Sequence, residues 1–204
     1  MKVNEAIEQI SEIHDHLNRT EFYRGFRSVP VALSGLAGCL AAFLQPTFLG
    51  RSPAPLTFVY YWTLVASGNL SMIILFTLYC YLFQENRLER KRTRHVWAQF
   101  SPSLVIGLLL TLSIVPLGND VIALLPGLWA FVMSLGIFAT GPFLPRMSRW
   151  MAMYYLLAGF LLLGLAQKGL AFSAWGMGLT FGLGQFIGAA ILYLNLERKN
   201  DDGA

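Results

Sequence analysis

Charge is scarce in this sequence, and what there is avoids six long stretches. Charged residues make up 13% of the 204 residues, against about 25% in an average soluble domain. A soluble fold of this length would need far more polar surface, so that class is excluded. Histidine is scarcer still. His14, His16 and His95 all fall outside the apolar stretches. A haem-carrying bundle needs axial histidine within its spans, and an iron-dependent lipid oxidase needs a histidine box; the chain offers neither. No ionised side chain interrupts the apolar runs, which argues against a proton-coupled pump; Asp120 lies only in a turn. Ser34 has no histidine at its depth to serve as a base, and a serine hydrolase requires one. No paired-aspartate phosphotransfer motif occurs. The reading is therefore non-enzymatic, with no catalytic residue and no cofactor.

Two further absences concern metals and disulfides. His14 and His16, with Glu12 and Asp15 nearby, imitate a ligand set, but helical positions two apart point about 200° apart. Met147, Met151 and Met153 read as interfacial packing. No metal site is expected. The two cysteines, Cys39 and Cys80, differ in depth by on the order of 10 Å, too far for a disulfide.

What the chain has is apolar length. Six runs stand out: Val29–Leu49, Leu56–Phe83, Val96–Leu117, Val121–Thr140, Trp150–Ala166 and Ala171–Leu194. At about 1.5 Å per helical residue each can cross about 30 Å of hydrocarbon, with tilt. The fold class expected is all-α integral membrane, a six-transmembrane-helix bundle. Residues 1–28 form a cytoplasmic amphipathic helix and connector, 29–196 the membrane domain and 197–204 a charged tail. The first 28 residues lack an apolar h-region, so the first span is expected to act as its own insertion signal. Trp97, Trp150 and Trp175 open spans, and Tyr60, Tyr61 and Trp62 sit near a boundary, as an aromatic belt does.

The basic residues choose a side. Lys2, Arg19, Arg24, Arg27, Arg87, Arg90, Lys91, Arg92, Arg94, Arg146, Arg149, Arg198 and Lys199 fall on one side, thirteen of the 15 bases; only Arg51 and Lys168 fall on the other. Cytoplasmic loops collect Lys and Arg. Both termini are therefore expected in the cytoplasm. The net charge of +4 sits in these loops and is not a nucleic-acid signal. Short outer loops make the spans pair as hairpins. The inner segment Gln84–His95, without Gly or Pro, is expected to prolong the second helix by one or two turns.

Three constellations carry the functional expectations. First, Ser34, Asn69, Ser134 and Gln185 fall in one layer of the inner half, about 10 Å from the boundary. They are either interhelical glue or a polar pocket for a small ligand. Second, the last span holds two GxxxG pairs, Gly178 with Gly182 and Gly184 with Gly188. Small residues four apart let another backbone lie close. Ser34, Gly35, Ala37, Gly38, Ala41 and Ala42 offer a matching stretch on the first span; a homodimer seam is the alternative. Third, Val3, Ala6, Ile7, Ile10, Ile13 and Leu17 recur at spacings of three and four, an amphipathic stripe. Its other face is acidic, and residues 1–18 sum to −3. A lipid-binding interfacial helix would be basic there. The stripe formed by Ile7, Ile10, Ile13 and Leu17 is expected to dock on protein: on the bundle's inner face beside Arg87, Arg90 and Arg94, or on a cytosolic partner. Residues 84–95 sum to +3.

Ile10, Ile13, Leu17 and Arg19, then Phe22, Tyr23 and Arg24, then Ser34, Gly35, Leu36, Ala37 and Gly38 form a pattern. It resembles the start of a poorly characterised group of small bacterial polytopic membrane proteins with an amphipathic N-terminal helix. The resemblance covers residues 6–40. It implies a helix before the first span and brings no activity with it. The leading expectation is a membrane sensor or scaffold that binds lipid or a small neutral ligand and docks a cytosolic partner. The alternative is a transporter or channel for a small uncharged or apolar solute.

The topology is directly testable. A reporter fused at residue 204 and another in the 50–55 loop should fall on opposite sides of the membrane. Finding both on one side would remove the even span count.

Overall fold

The computed structural model describes residues 28–197. Within them every regular element is helical. Six helices are long and apolar enough to cross a membrane: α1 (Ser28–Leu49), α2 (Pro55–Phe83), α3 (Arg87–Leu117), α4 (Asn119–Ala139), α5 (Ser148–Gln167) and α6 (Ala174–Asn195). The expected N-terminal helix, with Ile7, Ile10, Ile13 and Leu17, lies outside the described residues, as does the tail beyond residue 197.

Local chemistry sets the helix ends. Gly50 closes α1 at φ 76°, with its N–H on the Pro46 carbonyl at 3.1 Å. That left-handed conformation favours glycine. Pro55 opens α2 at the position where a missing N–H costs nothing. Gly118, at φ 109°, separates α3 from the short first turn of α4. Helix α6 departs from α-geometry over two π-helical segments, Gly178–Leu183 and Tyr193–Glu197.

The connection after α2 corrects one expectation. Residues 84–95 do not prolong α2. That helix stops at Phe83, and Asn86 turns extended at φ −79°, ψ 176° to cap α3. The Asn86 Oδ1 accepts from the N–H groups of Leu88 and Glu89, at 3.1 and 3.0 Å. In return the Glu89 carboxylate accepts from the Asn86 N–H at 2.9 Å. This reciprocal capping box satisfies donors that a helix start otherwise leaves bare. The bases Arg87, Arg90, Lys91, Arg92 and Arg94 therefore ride on the first turns of α3.

Around the bundle the helices run in the order α2, α1, α6, α5, α4, α3. Neighbours are antiparallel, as their contacts show: Ala42 meets Gly178 while Val31 meets Gly188, and Ser134 meets Ala152 while Phe131 meets Gly159. Close backbone approach holds the middle of this row. A Cβ built on Gly182 would stand 2.5 Å from the Cys39 Sγ and 3.0 Å from the Cys39 nitrogen, and one on Gly35 would stand 3.0 Å from the Gly182 carbonyl oxygen. Gly127 and Gly159 make a similar crossing between α4 and α5, each with the other's carbonyl oxygen about 3 Å from where its Cβ would lie. At the end away from the bases the row curls shut. There Val59 of α2 packs with Ile114 of α3 and with Ile122 and Leu125 of α4.

Substituting Gly182 with alanine should cost about 1–3 kcal/mol, the usual penalty of overpacking. Gly164 of α5 has nothing within 4 Å of its Cβ position, and alanine there should be neutral or stabilising by up to about 1 kcal/mol. Unfolding in detergent micelles measures both; equal effects would contradict the seam.

Candidate functional site

Each polar side chain inside an apolar bundle needs a partner, and following those partners shows where room remains. Ser34 is buried and donates to the Val31 carbonyl of its own helix at 2.8 Å. Ser134 is buried and donates across to the Ala152 carbonyl of α5 at 2.8 Å. Gln185 lies on α6, its Cβ 3.2 Å from where a Cβ on Gly35 would stand. Asn69 is half-buried on α2. Gln185 thus sits at the α1–α6 seam, Ser34 bonds within α1, and Ser134 bonds into the α4–α5 seam.

The four glycines of the two GxxxG pairs on α6 face two partners. Gly178 and Gly182 abut Ala42 and Cys39 of α1; Gly184 abuts Tyr155 and Gly188 abuts Met151, both on α5. Positions 182 and 184 lie about 200° apart on a helix, so one helix is clamped from both sides. Tyr155 is fully buried, and its hydroxyl has no hydrogen-bond partner among the described residues. The neighbouring Tyr154 hydroxyl donates to the Leu179 carbonyl in the π-helical segment.

Sequence reasoning missed a polar pin in the half away from the bases. The Trp62 indole donates to Gln45 Oε1 at 2.9 Å, and Gln45 Nε2 donates to the Phe172 carbonyl at 3.0 Å. Beside it the Tyr61 hydroxyl donates to the Ala41 carbonyl at 2.7 Å. The Trp129 indole similarly donates to Thr111 at 2.9 Å, tying α4 to α3. The available signal was Gln45 itself, an amide near the end of an apolar run, which must find a partner. Tyr61 and Trp62 passed as an aromatic belt.

These pins hold α2 by its ends. It buries Phe58, Val59 and Trp62 near its start and Cys80 near its finish, and nothing between. Its small residues Ala66, Ser67 and Gly68 are exposed. At its finish Arg90 of α3 reaches back, donating to the Leu82 carbonyl at 3.1 Å and the Glu85 carbonyl at 3.2 Å. The same guanidinium lies 5.3 Å from the centre of the Tyr81 ring, a cation–π distance.

Between the last turns of α2 and the first turns of α3 lies a cleft of about 330 Å³. Ile74, Thr77, Leu78 and Tyr81 form one wall, and Arg94 and Trp97 stand on the other. Ile74, Leu78 and Arg94 are exposed, so the cleft opens sideways and not into the bundle's core. Its volume is at the lower end of the roughly 300–1,000 Å³ of small-molecule sites. Of the residues expected to dock the N-terminal stripe, Arg90 pins the turn, Arg94 lines the cleft and Arg87 is exposed two turns before it on the same helical face.

Two substitutions separate structural from ligand-directed polarity. Gln45→Leu should destabilise by about 1–3 kcal/mol, because it strands the Trp62 indole N–H and the Phe172 carbonyl. Tyr155→Phe should leave the fold intact and raise stability by about 1 kcal/mol, since it deletes a hydroxyl with no partner. A marked loss of stability with Tyr155→Phe would show that the hydroxyl does have a role. Comparison of the chain with family models, curated proteins and solved structures gives no match.

Proposed function

We propose that this protein is a non-enzymatic scaffold or sensor of the bacterial cytoplasmic membrane, with both termini in the cytoplasm. It takes a lipid into the lateral cleft between α2 and α3 and docks a cytosolic protein through its N-terminal amphipathic helix. The observation that carries the ligand half is the cleft. It is largely apolar, opens sideways and has one base, Arg94, in its wall. In a membrane, what reaches such an opening is an acyl chain, not a water-soluble solute.

The buried polar groups support the same choice over a transporter. Ser34, Ser134, Gln45, Trp62, Thr111 and Trp129 spend their hydrogen bonds on backbone or on one another. Bonded that way, Ser134, Gln45 with Trp62, and Thr111 with Trp129 act as interhelical glue worth about 0.6 kcal/mol per contact, and Ser34 is satisfied within its own helix; this does not favour a hydrated path. The glycines at 178, 182, 184 and 188 lie against α1 and α5 of the same chain, which favours packing within one bundle over a homodimer seam.

Charge provides a relay. Residues 1–18 sum to −3 and residues 84–95 to +3. An acidic helix and a lipid headgroup would compete for the same bases, so occupancy of the cleft would set how freely the helix meets a partner. Individual exposed pairs add at most about 1 kcal/mol and weaken with salt, which keeps the exchange reversible.

The purified protein should carry retained lipid through gentle solubilisation, read by native mass spectrometry. It should also leave the permeability of liposomes to glycerol and urea at the protein-free rate. Flux well above that rate would favour the transporter reading instead.

A further inference from the structure

We infer that the α2–α3 cleft selects an anionic phospholipid, with its phosphate held by the face of α3 formed by Arg87, Lys91 and Arg94. The inference rests on the proposal that the cleft takes lipid, and adds the headgroup chemistry.

The first observation is phase. Positions 87, 91 and 94 are spaced four and three apart, so their side chains share one helical face. All three are exposed. The face climbs about 10 Å along the axis, and its last member, Arg94, lines the cleft. The bases thus form a ladder leading out of an apolar slot.

The second observation is what the neighbouring charges already do. Arg90, on the adjacent face, is committed to the Leu82 and Glu85 carbonyls and to the Tyr81 ring. Glu89 projects about 200° from Arg87, and its carboxylate is occupied by the Asn86 N–H. Glu85 accepts from the Thr93 hydroxyl at 2.6 Å. The acids of this turn are therefore engaged in building it. Among the described residues the ladder is left as a positive face without an acid on it, beside Tyr81 and Trp97, two aromatic residues suited to headgroup depth.

The third is the match of parts. A phospholipid is an acyl chain joined to a phosphate. The cleft offers Ile74 and Leu78 to the chain on one wall and Arg94 to the phosphate on the other. Arginine meets phosphate through a planar fork of donors. Each base near an anionic surface favours binding about fivefold. A zwitterionic phospholipid shares the chain and the phosphate, but its ammonium group cancels the net charge the ladder would read.

The test uses the full-length protein in nanodiscs of phosphatidylcholine and phosphatidylglycerol, with retained lipid counted by native mass spectrometry. The expected result is retention of phosphatidylglycerol over phosphatidylcholine by at least about fivefold. Arg94→Gln should cut that preference about fivefold while lipid is still retained, and Arg94→Lys should keep most of it. Leu78→Trp, which fills the slot, should abolish retention of both lipids, with an unchanged melting temperature as its control; Ile74→Trp serves if that variant unfolds. Equal retention of the two lipids by the wild type, lost in Leu78→Trp, would overturn the anionic selectivity and leave the lipid cleft standing. A preference unchanged in Arg94→Gln would overturn the role of the ladder. Retention indifferent to both tryptophans would overturn the selectivity and the cleft together.

Discussion

In hydrocarbon a helix gains little by hiding leucine from its surroundings, because lipid tails are as apolar as leucine. What joins two helices there is how closely their backbones approach and which polar groups they satisfy. That constraint divides this bundle in two. Helices α1, α6, α5 and α4 meet through glycines whose missing side chains bring backbones together, at Gly35 with Gly182 and at Gly127 with Gly159. Helix α6 is gripped on two faces at once, by α1 and by α5. These four helices form the most closely packed part of the described residues.

Helix α2 has no such seam. Its one glycine, Gly68, has no neighbour within 4 Å of a Cβ position. Instead polar fastenings hold it near its two ends. Gln45 collects Trp62 at the start, and Arg90 collects the carbonyls of Leu82 and Glu85 at the finish. A helix fastened only at its ends leaves its flank available, and the cleft beside α3 follows from that. The capping box at Asn86 completes the geometry, because it makes α3 begin where α2 stops and puts the bases on a helical face. Had residues 84–95 prolonged α2, the same charges would have projected past the bundle with no apolar slot beside them.

The six helices were legible because long apolar runs have few other uses. Their limits came out close as well, since Gly50, Pro55 and Gly118 punctuate the chain as turn chemistry requires. The start of α3 was hidden for a physical reason. Its first turns are hydrophilic and fall below any apolar signal, although Asn86 with Glu89 three residues on is a capping signature. The polar layer shows the limit of counting depth. Residue number gives height along a span, but not the direction a side chain faces. Ser34 turned out to bond within its own helix and Ser134 across to α5. The glycine pairs were less hidden, since the offset from 182 to 184 alone sends them to opposite faces. The cleft was not legible, because it arises from contacts that two neighbouring helices do not make, and no residue type marks a missing contact.

The most direct measurement is a side-chain-resolution density map of the protein in a nanodisc containing phosphatidylglycerol, read between Tyr81 and Trp97. Elongated density along Ile74 and Leu78, ending in a phosphate beside Arg94, is the result predicted. Leu78 packed directly on Trp97, with the slot closed and no lipid in it, would contradict the account.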